Sequence, residues 1–222
     1  TEKKEEKKLL NIDEAIDSLK KNSEDKNRKF VESVDIIFNL GIDTKQSNQN
    51  IRGSVALPAG TGKKVKIAVF TPDESLQKEA LDVGASVAGM NELIEKVNNG
   101  FLDFDACVAS PDAMRSLSKA AKKLGPRGLM PNPKTGTVTK DVVSAVKSIL
   151  KGKVNYKNDK FGIVHMLAGK IDFTKEDLLS NIKAIISAIK EAKPESSKGK
   201  FIKSIFLSTT MGPSVSIDID KL

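Results

Sequence analysis

Val65-Lys66-Ile67-Ala68-Val69-Phe70 is the stretch on which the fold turns. A short apolar run of this kind marks a strand buried on both faces, as strands of a parallel sheet are when helices cover it. A helical stretch follows over 72–82. Leu93, Ile94 and Val97 predict another helix, opened by Asn91 as a cap. Residues 104–109 are a second apolar strand, and Ser110-Pro111 after it places Pro just inside a helix start. That helix runs over 113–124 and stops at Gly125. Val142, Val143, Val146, Ile149 and Leu150 carry a last one, which ends near Gly152. Strands alternating with helices define a parallel, three-layer α/β unit over residues 67–152.

On both sides of this unit the pattern changes. Residues 1–8 read as a charged, frayed tail without the apolar stretch of a secretory signal. Ile12, Ala15, Ile16 and Leu19 recur at helical spacing. Residues 30–40 alternate as a strand, 41–53 form a polar exposed loop, and 54–57 form a short strand stopped by Pro58. Beyond Gly152, residues 154–156 and 162–167 predict a hairpin around Asn158-Asp159. Phe173-Thr174 opens a helix whose stripe is Leu178, Leu179, Ile182, Ile185, Ile186 and Ile189, with Pro194 at its end. Strands are expected over 201–207 and 214–220. Neither chain end builds a domain alone. Together they make an antiparallel sheet with two helices, a two-layer α+β domain. The expected organisation is therefore a discontinuous domain, 1–66 with 153–222, carrying 67–152 as an insertion. Two neighbouring chain crossings permit hinge motion.

Composition narrows the function. The 222 residues include 37 Lys and Arg against 29 Asp and Glu, a net charge of +8. Residues 1–66 and 153–222 together carry +7 of it, and 67–152 only +1. Such a balance favours a polyanionic partner. A hydrophobic share of 39% permits a real core. No apolar run approaches the ~20 residues of a membrane helix, so no membrane partner is expected. One Cys and one His, Cys107 and His165, exclude a disulfide framework and a conventional zinc site. No metal or cofactor is expected, and a reducing cytoplasm fits.

Most motifs that suggest catalysis fail on inspection. Gly60-Thr61-Gly62-Lys63-Lys64 resembles part of a phosphate-binding loop. However, Leu57 stands where that motif needs Gly, Lys64 where it needs Ser or Thr, and a strand follows instead of a helix. No nucleophile–base pair is readable, and no catalytic residue is assigned. His165 in an alternating strand is either structural or ligand-facing. Cys107 reads as a small core residue, and Asp103 and Asp105 as a solvated strand end. The segment 124–137 holds three Gly and three Pro, which reads as an ordered loop. It is either a crossover or a rigid mount for Arg127 and Lys134. In Thr209-Thr210-Met211-Gly212-Pro213-Ser214, hydroxyls can donate to phosphate and ribose, and Gly212 permits close backbone approach.

Several separated motifs carry a resemblance. Phe30-Val31-Glu32-Ser33-Val34-Asp35, Leu40-Gly41-Ile42-Asp43, Gln49-Asn50-Ile51-Arg52-Gly53, Leu57-Pro58-Ala59-Gly60-Thr61-Gly62-Lys63, the 125–137 loop and Thr210-Met211-Gly212-Pro213-Ser214 all resemble the bacterial type of the ribosomal protein L-one family. Gly125-Pro126-Arg127-Gly128-Leu129-Met130-Pro131 is the most specific, and the likeness spans about residues 10–222. The resemblance implies a first domain built from both chain ends and a Rossmann-like inserted domain. It implies no enzyme, but a constituent of the large ribosomal subunit, in the cytoplasm, that binds large-subunit rRNA. It further implies a mobile stalk beside the tRNA exit site, contact with exit-site tRNA during its release, and repression of the protein's own operon through its mRNA. Matching rRNA-contact positions are Lys29, Phe30, Glu32, Ser33, Lys157, Asp159, Lys160, His165, Ser204, Thr210, Met211 and Gly212. Arg127 and Lys134 are left for tRNA or the outer stalk. Ser33 stands where the family often has Thr, which keeps the hydroxyl. Lys157 stands where Arg is frequent, which weakens planar bidentate pairing.

Two alternatives stay open at the level of sequence. One is an α/β enzyme using the inserted domain. Against it, Thr71-Pro72-Asp73-Glu74 after the first parallel strand is acidic and lacks Gly. The other is a repressor that acts on mRNA alone.

Overall fold

A computed structural model describes residues 9–25, 29–197 and 199–219. The expected tail over 1–8 and the last residue of the expected 214–220 strand lie outside the described residues. The elements run α1 (Ile12–Asp25), β1 (Ser33–Leu40), β2 (Arg52–Ala56), β3 (Ile67–Phe70), α2 (Glu74–Val83), β4 (Val87–Gly89), α3 (Asn91–Asn98) and β5 (Ala106–Ala109). They continue with α4 (Ala113–Leu117), α5 (Ala121–Leu124), α6 (Val142–Leu150), β6 (Lys153–Lys157), β7 (Ile163–Lys170), α7 (Lys175–Glu191), β8 (Ile202–Thr209) and β9 (Val215–Ile217). Residues 1–62 with 154–222 form one compact unit, and residues 63–153 another.

In the first unit β7-β1-β8-β9 form a sheet in that order, with every neighbouring pair antiparallel. Val34, Ile36, Phe38 and Leu40 of β1 alternate into the core. There they join Ala15, Ile16 and Leu19 of α1 and Leu178, Ile182, Ile185 and Ile189 of α7. The period of two on the sheet and of 3.6 on the helices thus meet in one apolar layer. Thr174 caps α7, its hydroxyl accepting from Asp177 N at 3.1 Å.

The expected 154–167 hairpin is not formed. β6 pairs with β2 in a separate two-stranded sheet, while β7 pairs with β1. Asn158 explains the divergence. Its side-chain oxygen accepts from Ile51 N at 2.7 Å and its own N–H donates to Ile51 O, which fastens the end of β6 to the residues before β2. A single bridge, Asn158–Val164, joins the chain back to β7. Gly53 belongs to the same arrangement, because a Cβ there would come within 2.6 Å of the Tyr156 hydroxyl.

The Gly-rich turn after β2 has a structural task. Asn181 of α7, fully buried, accepts from Ala59 N and donates to Gly60 O, both at 3.0 Å, and to Ala168 O at 2.8 Å. One amide therefore uses three of its bonds to dock the turn and β7 on the helix.

The second unit is a parallel sheet in the order β4-β3-β5. Ile67 and Val69 face one core with Ala80, Val142, Val146 and Ile149. Ala68 and Phe70 face the other with Leu93, Ile94, Val97, Leu117 and Leu124. Helices on both faces give the three-layer α/β arrangement. Cys107 is buried here, and burial pushes its thiol up to about 12, so it is a neutral core side chain. The expected 113–124 helix is broken by a 3₁₀ turn over Ser118–Ala120. Ser118 Oγ donates to Arg115 O at 2.6 Å, a local bond of the kind that bends helices. Asp103 and Asp105 are exposed but paired, Asp103 with Lys66 at 2.7 Å and Asp105 with Lys63 at 2.5 Å. The Lys63 bond, with the backbone N–H of Lys66, holds the Asp105 carboxyl below its ordinary range.

Candidate nucleic-acid interface

The antiparallel register collects the expected contact residues into two groups. β1 begins where β7 and β8 end, so Ser33 meets Lys170 and the turn after Thr209. Lys29 and Phe30 precede this end and are exposed; the strand expected over 30–40 starts at Ser33, which leaves Phe30, Val31 and Glu32 before it. Lys157, Asp159 and Lys160 precede β7 and therefore sit at the opposite end, where Leu40 N donates to Gly162 O at 3.0 Å. Eight strand residues separate the groups by roughly 25 Å. Between them runs the face of the sheet that alternates away from the helices. On it, exposed His165 stands opposite Ile37, and Ser204 stands opposite Asn39.

At the first end the backbone is braced tightly. Ser33 N donates to Thr210 Oγ1 at 3.0 Å, and Thr210 N donates to Ser33 O at 3.1 Å. Lys170 Nζ donates to Ser33 Oγ at 2.8 Å. The two-way link between residues 33 and 210, which engages the Thr210 hydroxyl, fixes a turn that leaves the Met211 side chain 66% exposed. Phe30, 52% exposed, is a second apolar side chain open to solvent, three residues before Ser33 in the chain.

Two expectations change. Glu32, expected as an rRNA contact, is 0% exposed, so it cannot meet a partner directly in this structure. Its carboxylate accepts from Ser23 Oγ at 2.8 Å and from Met211 N at 2.9 Å. Gly212 was expected to be Gly so that a partner could approach. A nearer reason lies inside the chain: a Cβ there would overlap Thr209 Oγ1, a buried hydroxyl without a hydrogen-bond partner. A substitution at 212 therefore has to displace the Thr209 hydroxyl before it reports on any ligand.

Asp159 is partly buried, and its Oδ1 accepts from Phe161 N and Ile163 N, both at 2.8 Å. It braces the turn that displays Lys160, while Lys157 and Lys160 are exposed. The acidic members of the set thus serve the scaffold, the Ser33 and Thr210 hydroxyls brace the corner, and Lys29, Lys157 and Lys160 are exposed. Two further residues belong to this surface and were not singled out from sequence, Lys170 and Asp35. Burial pushes the Asp35 carboxyl up, against the opposing pull of His165 and Lys170. Strand pairing brings these groups together, and no spacing along the chain announces it.

In the second unit, residues 125–139 are ordered by their own polar groups. Asn132 accepts from Lys134 N at 2.8 Å, Asn132 N donates to Thr137 Oγ1 at 2.8 Å, and Val138 bridges Ala109 at the side of β5. Arg127 and Lys134 are exposed on this loop. The near-neutral tally of the middle segment conceals a strong division. Residues 67–112 hold nine acidic and two basic residues, whereas residues 113–140 hold seven basic and no acidic ones. All seven are exposed: Arg115, Lys119, Lys122, Lys123, Arg127, Lys134 and Lys140. Among the described residues, no group of three or more His, Cys, Asp or Glu is placed to hold a metal ion, and no helix is long and apolar enough to cross a membrane.

Comparison with known proteins gives the class first, a family of ribosomal proteins. The chain matches the model of the Ribosomal protein L1p/L10e family over residues 4–213 and belongs to that family. It is 51% identical over 211 residues to the large ribosomal subunit protein uL1 of Shewanella denitrificans, covering 95% of this chain and 89% of the relative. The protein of the same name from Pseudoalteromonas translucida is 50% identical over 221 residues, 100% of this chain and 93% of the relative. That from Pseudoalteromonas atlantica is 54% identical over 190 residues. These relatives are ribosomal proteins and not enzymes, which removes the α/β-enzyme alternative.

Proposed function

We propose that this chain is a structural constituent of the large ribosomal subunit that binds large-subunit rRNA through its first unit. The observation that carries the reading is the braced corner at which Ser33 meets the Thr210-Met211-Gly212 turn, with exposed Lys29 and Phe30 a few residues before it in the chain. Ordered hydroxyls and backbone beside exposed lysines suit RNA. The deep major groove of A-form RNA hides base edges, so shape, phosphate and 2′-hydroxyl contacts provide selectivity. With one Tyr and no Trp in the chain, base stacking is a minor mode. The second unit, with its basic half over 113–140, is left for a different polyanion. In the reading that family resemblance supports, this is exit-site tRNA beside a mobile stalk, whose movement accompanies tRNA release. Binding of a similar fold in the protein's own mRNA would make it a repressor of its operon. Comparing affinity for rRNA and mRNA fragments separates the two RNA roles.

Excision tests the division of labour. Replacing residues 67–152 with a short Gly/Ser linker is expected to leave a folded first unit that binds an rRNA stalk fragment within about tenfold of the full chain. Complete loss of binding by a folded product, judged by circular dichroism and filter binding, would place the site in the second unit. The 113–140 face would then be the first suspect.

A finer test concerns Thr210. Thr210→Val deletes the hydroxyl that accepts from Ser33 N at the exposed corner. It is expected to weaken rRNA binding by about 1–3 kcal/mol, whereas Thr210→Ser, which keeps the hydroxyl, stays near the unmodified protein. Thr174→Val is the control. It removes the α7 cap and about 1 kcal/mol of stability without affecting RNA affinity. Equal binding by all of these proteins would reduce the 209–214 segment to a plain turn.

A further inference from the structure

A carboxylate is costly to bury unless hydrogen bonds replace its water, so a fully buried Glu beside a surface turn requires a reason. Glu32 touches three parts of the first unit. Its backbone O accepts from Ile171 N at 3.0 Å, just past β7. Its Oε2 accepts from Ser23 Oγ of α1 at 2.8 Å. Its Oε1 accepts from Met211 N at 2.9 Å, in the turn after β8. Bonds to a charged acceptor are about twice as strong as neutral ones. The next residue, Ser33, is tied in both directions to Thr210. The 210–212 turn is therefore held by residues 32 and 33, Ser33 through both the backbone and the hydroxyl of Thr210, while the Met211 side chain is exposed.

We propose that Glu32 is the positioning residue of this turn: it fixes the backbone of Thr210-Met211-Gly212 from inside the fold and never touches RNA itself. The inference rests on the reading that the turn meets rRNA. Two physical points favour positioning over contact. The carboxylate has no exposed surface, and a carboxylate facing phosphate would repel it. A turn already fixed before encounter loses less freedom on binding, which is where preorganisation increases affinity. The same logic explains an acidic residue within a set otherwise built of cations, hydroxyls and apolar groups. Among the described residues, its carboxylate meets an internal amide and a hydroxyl.

The test uses the full chain, an rRNA stalk fragment in filter binding, and amide hydrogen exchange at Met211 by NMR. Glu32→Gln keeps an acceptor for Met211 N and a donor for Ser23 Oγ, so affinity within about threefold and a protected Met211 amide are expected. Glu32→Ala removes the acceptor. Met211 exchange is expected to accelerate at least tenfold and affinity to fall at least tenfold, with the salt slope unchanged because no phosphate contact is lost. Should Glu32→Ala not fold, Glu32→Asp serves instead: one methylene shorter, it cannot span from Ser23 to Met211 and should give the same two losses. Full affinity together with accelerated Met211 exchange would overturn the proposal. So would equal weakening by Glu32→Gln and Glu32→Ala with Met211 exchange unchanged, which would mean direct contact. If the unmodified chain does not bind the fragment, the RNA reading fails instead, and Met211 exchange still decides whether Glu32 holds the turn.

Discussion

Raising monovalent salt fourfold, from 50 to 200 mM, is expected to weaken binding of the rRNA fragment by roughly 250-fold, a log–log slope near −4 for about five neutralised phosphates. The cause is the charge of the two chain ends, +7 of the total +8, and the outward placement of Lys29, Lys157 and Lys160. Two carboxylates of the set are engaged by backbone amides instead of being free, Glu32 by Met211 N and Asp159 by Phe161 N and Ile163 N. Replacing Lys157 with Gln should flatten the slope by about one unit. Thr210→Val carries no charge change, so it should lower affinity at every salt concentration and leave the slope alone. A flat salt response between these concentrations would remove phosphate contact as the main source of affinity.

Legibility in the sequence followed the length and regularity of each pattern. The apolar run at 67–70, the stripe of α7 and the cap at Thr174 were readable, because buried faces impose a period and caps impose residue types. β4, Val87–Gly89, was not, since three residues are too short to show alternation. The pairing of β6 with β2 was hidden because it depends on one asparagine side chain reaching Ile51, over a hundred residues away in sequence. The site divides in the same way. Resemblance supplied the residue set, and exposed lysines and hydroxyls fit it. It could not tell that Glu32 faces inward, that Gly212 is confined by Thr209, or that Lys170 bonds Ser33. Those facts arise from strand register, which places residue 33 beside residues 170 and 210.

The separation into two units has a consequence for stability that two core substitutions can expose. Phe38 lies at the centre of β1, fully buried between β7 and β8. Phe70 lies at the end of β3, fully buried against Leu93, Leu117 and Leu124. Each truncation to Ala leaves a cavity in a close-packed core and costs about 3–5 kcal/mol. At ~4–8 °C per kcal/mol for a domain of about 60–100 residues, Phe70→Ala is expected to lower the melting of the 63–153 unit by at least ~12 °C, and the larger first unit shifts by less per kcal/mol in Phe38→Ala. If 63–153 is an independent domain, calorimetry of Phe70→Ala should show its own transition move down while the other stays. Phe38→Ala should move the other one and take RNA binding with it. Between the two transitions of the Phe70→Ala protein, the first unit is still folded. It should then bind the rRNA fragment with unchanged salt slope, because every brace of the Ser33–Thr210 corner lies within that unit. If both substitutions instead lower one common transition, the chain unfolds as a single cooperative body and the independence of the inserted unit is lost. Binding in that temperature window would then disappear along with the fold.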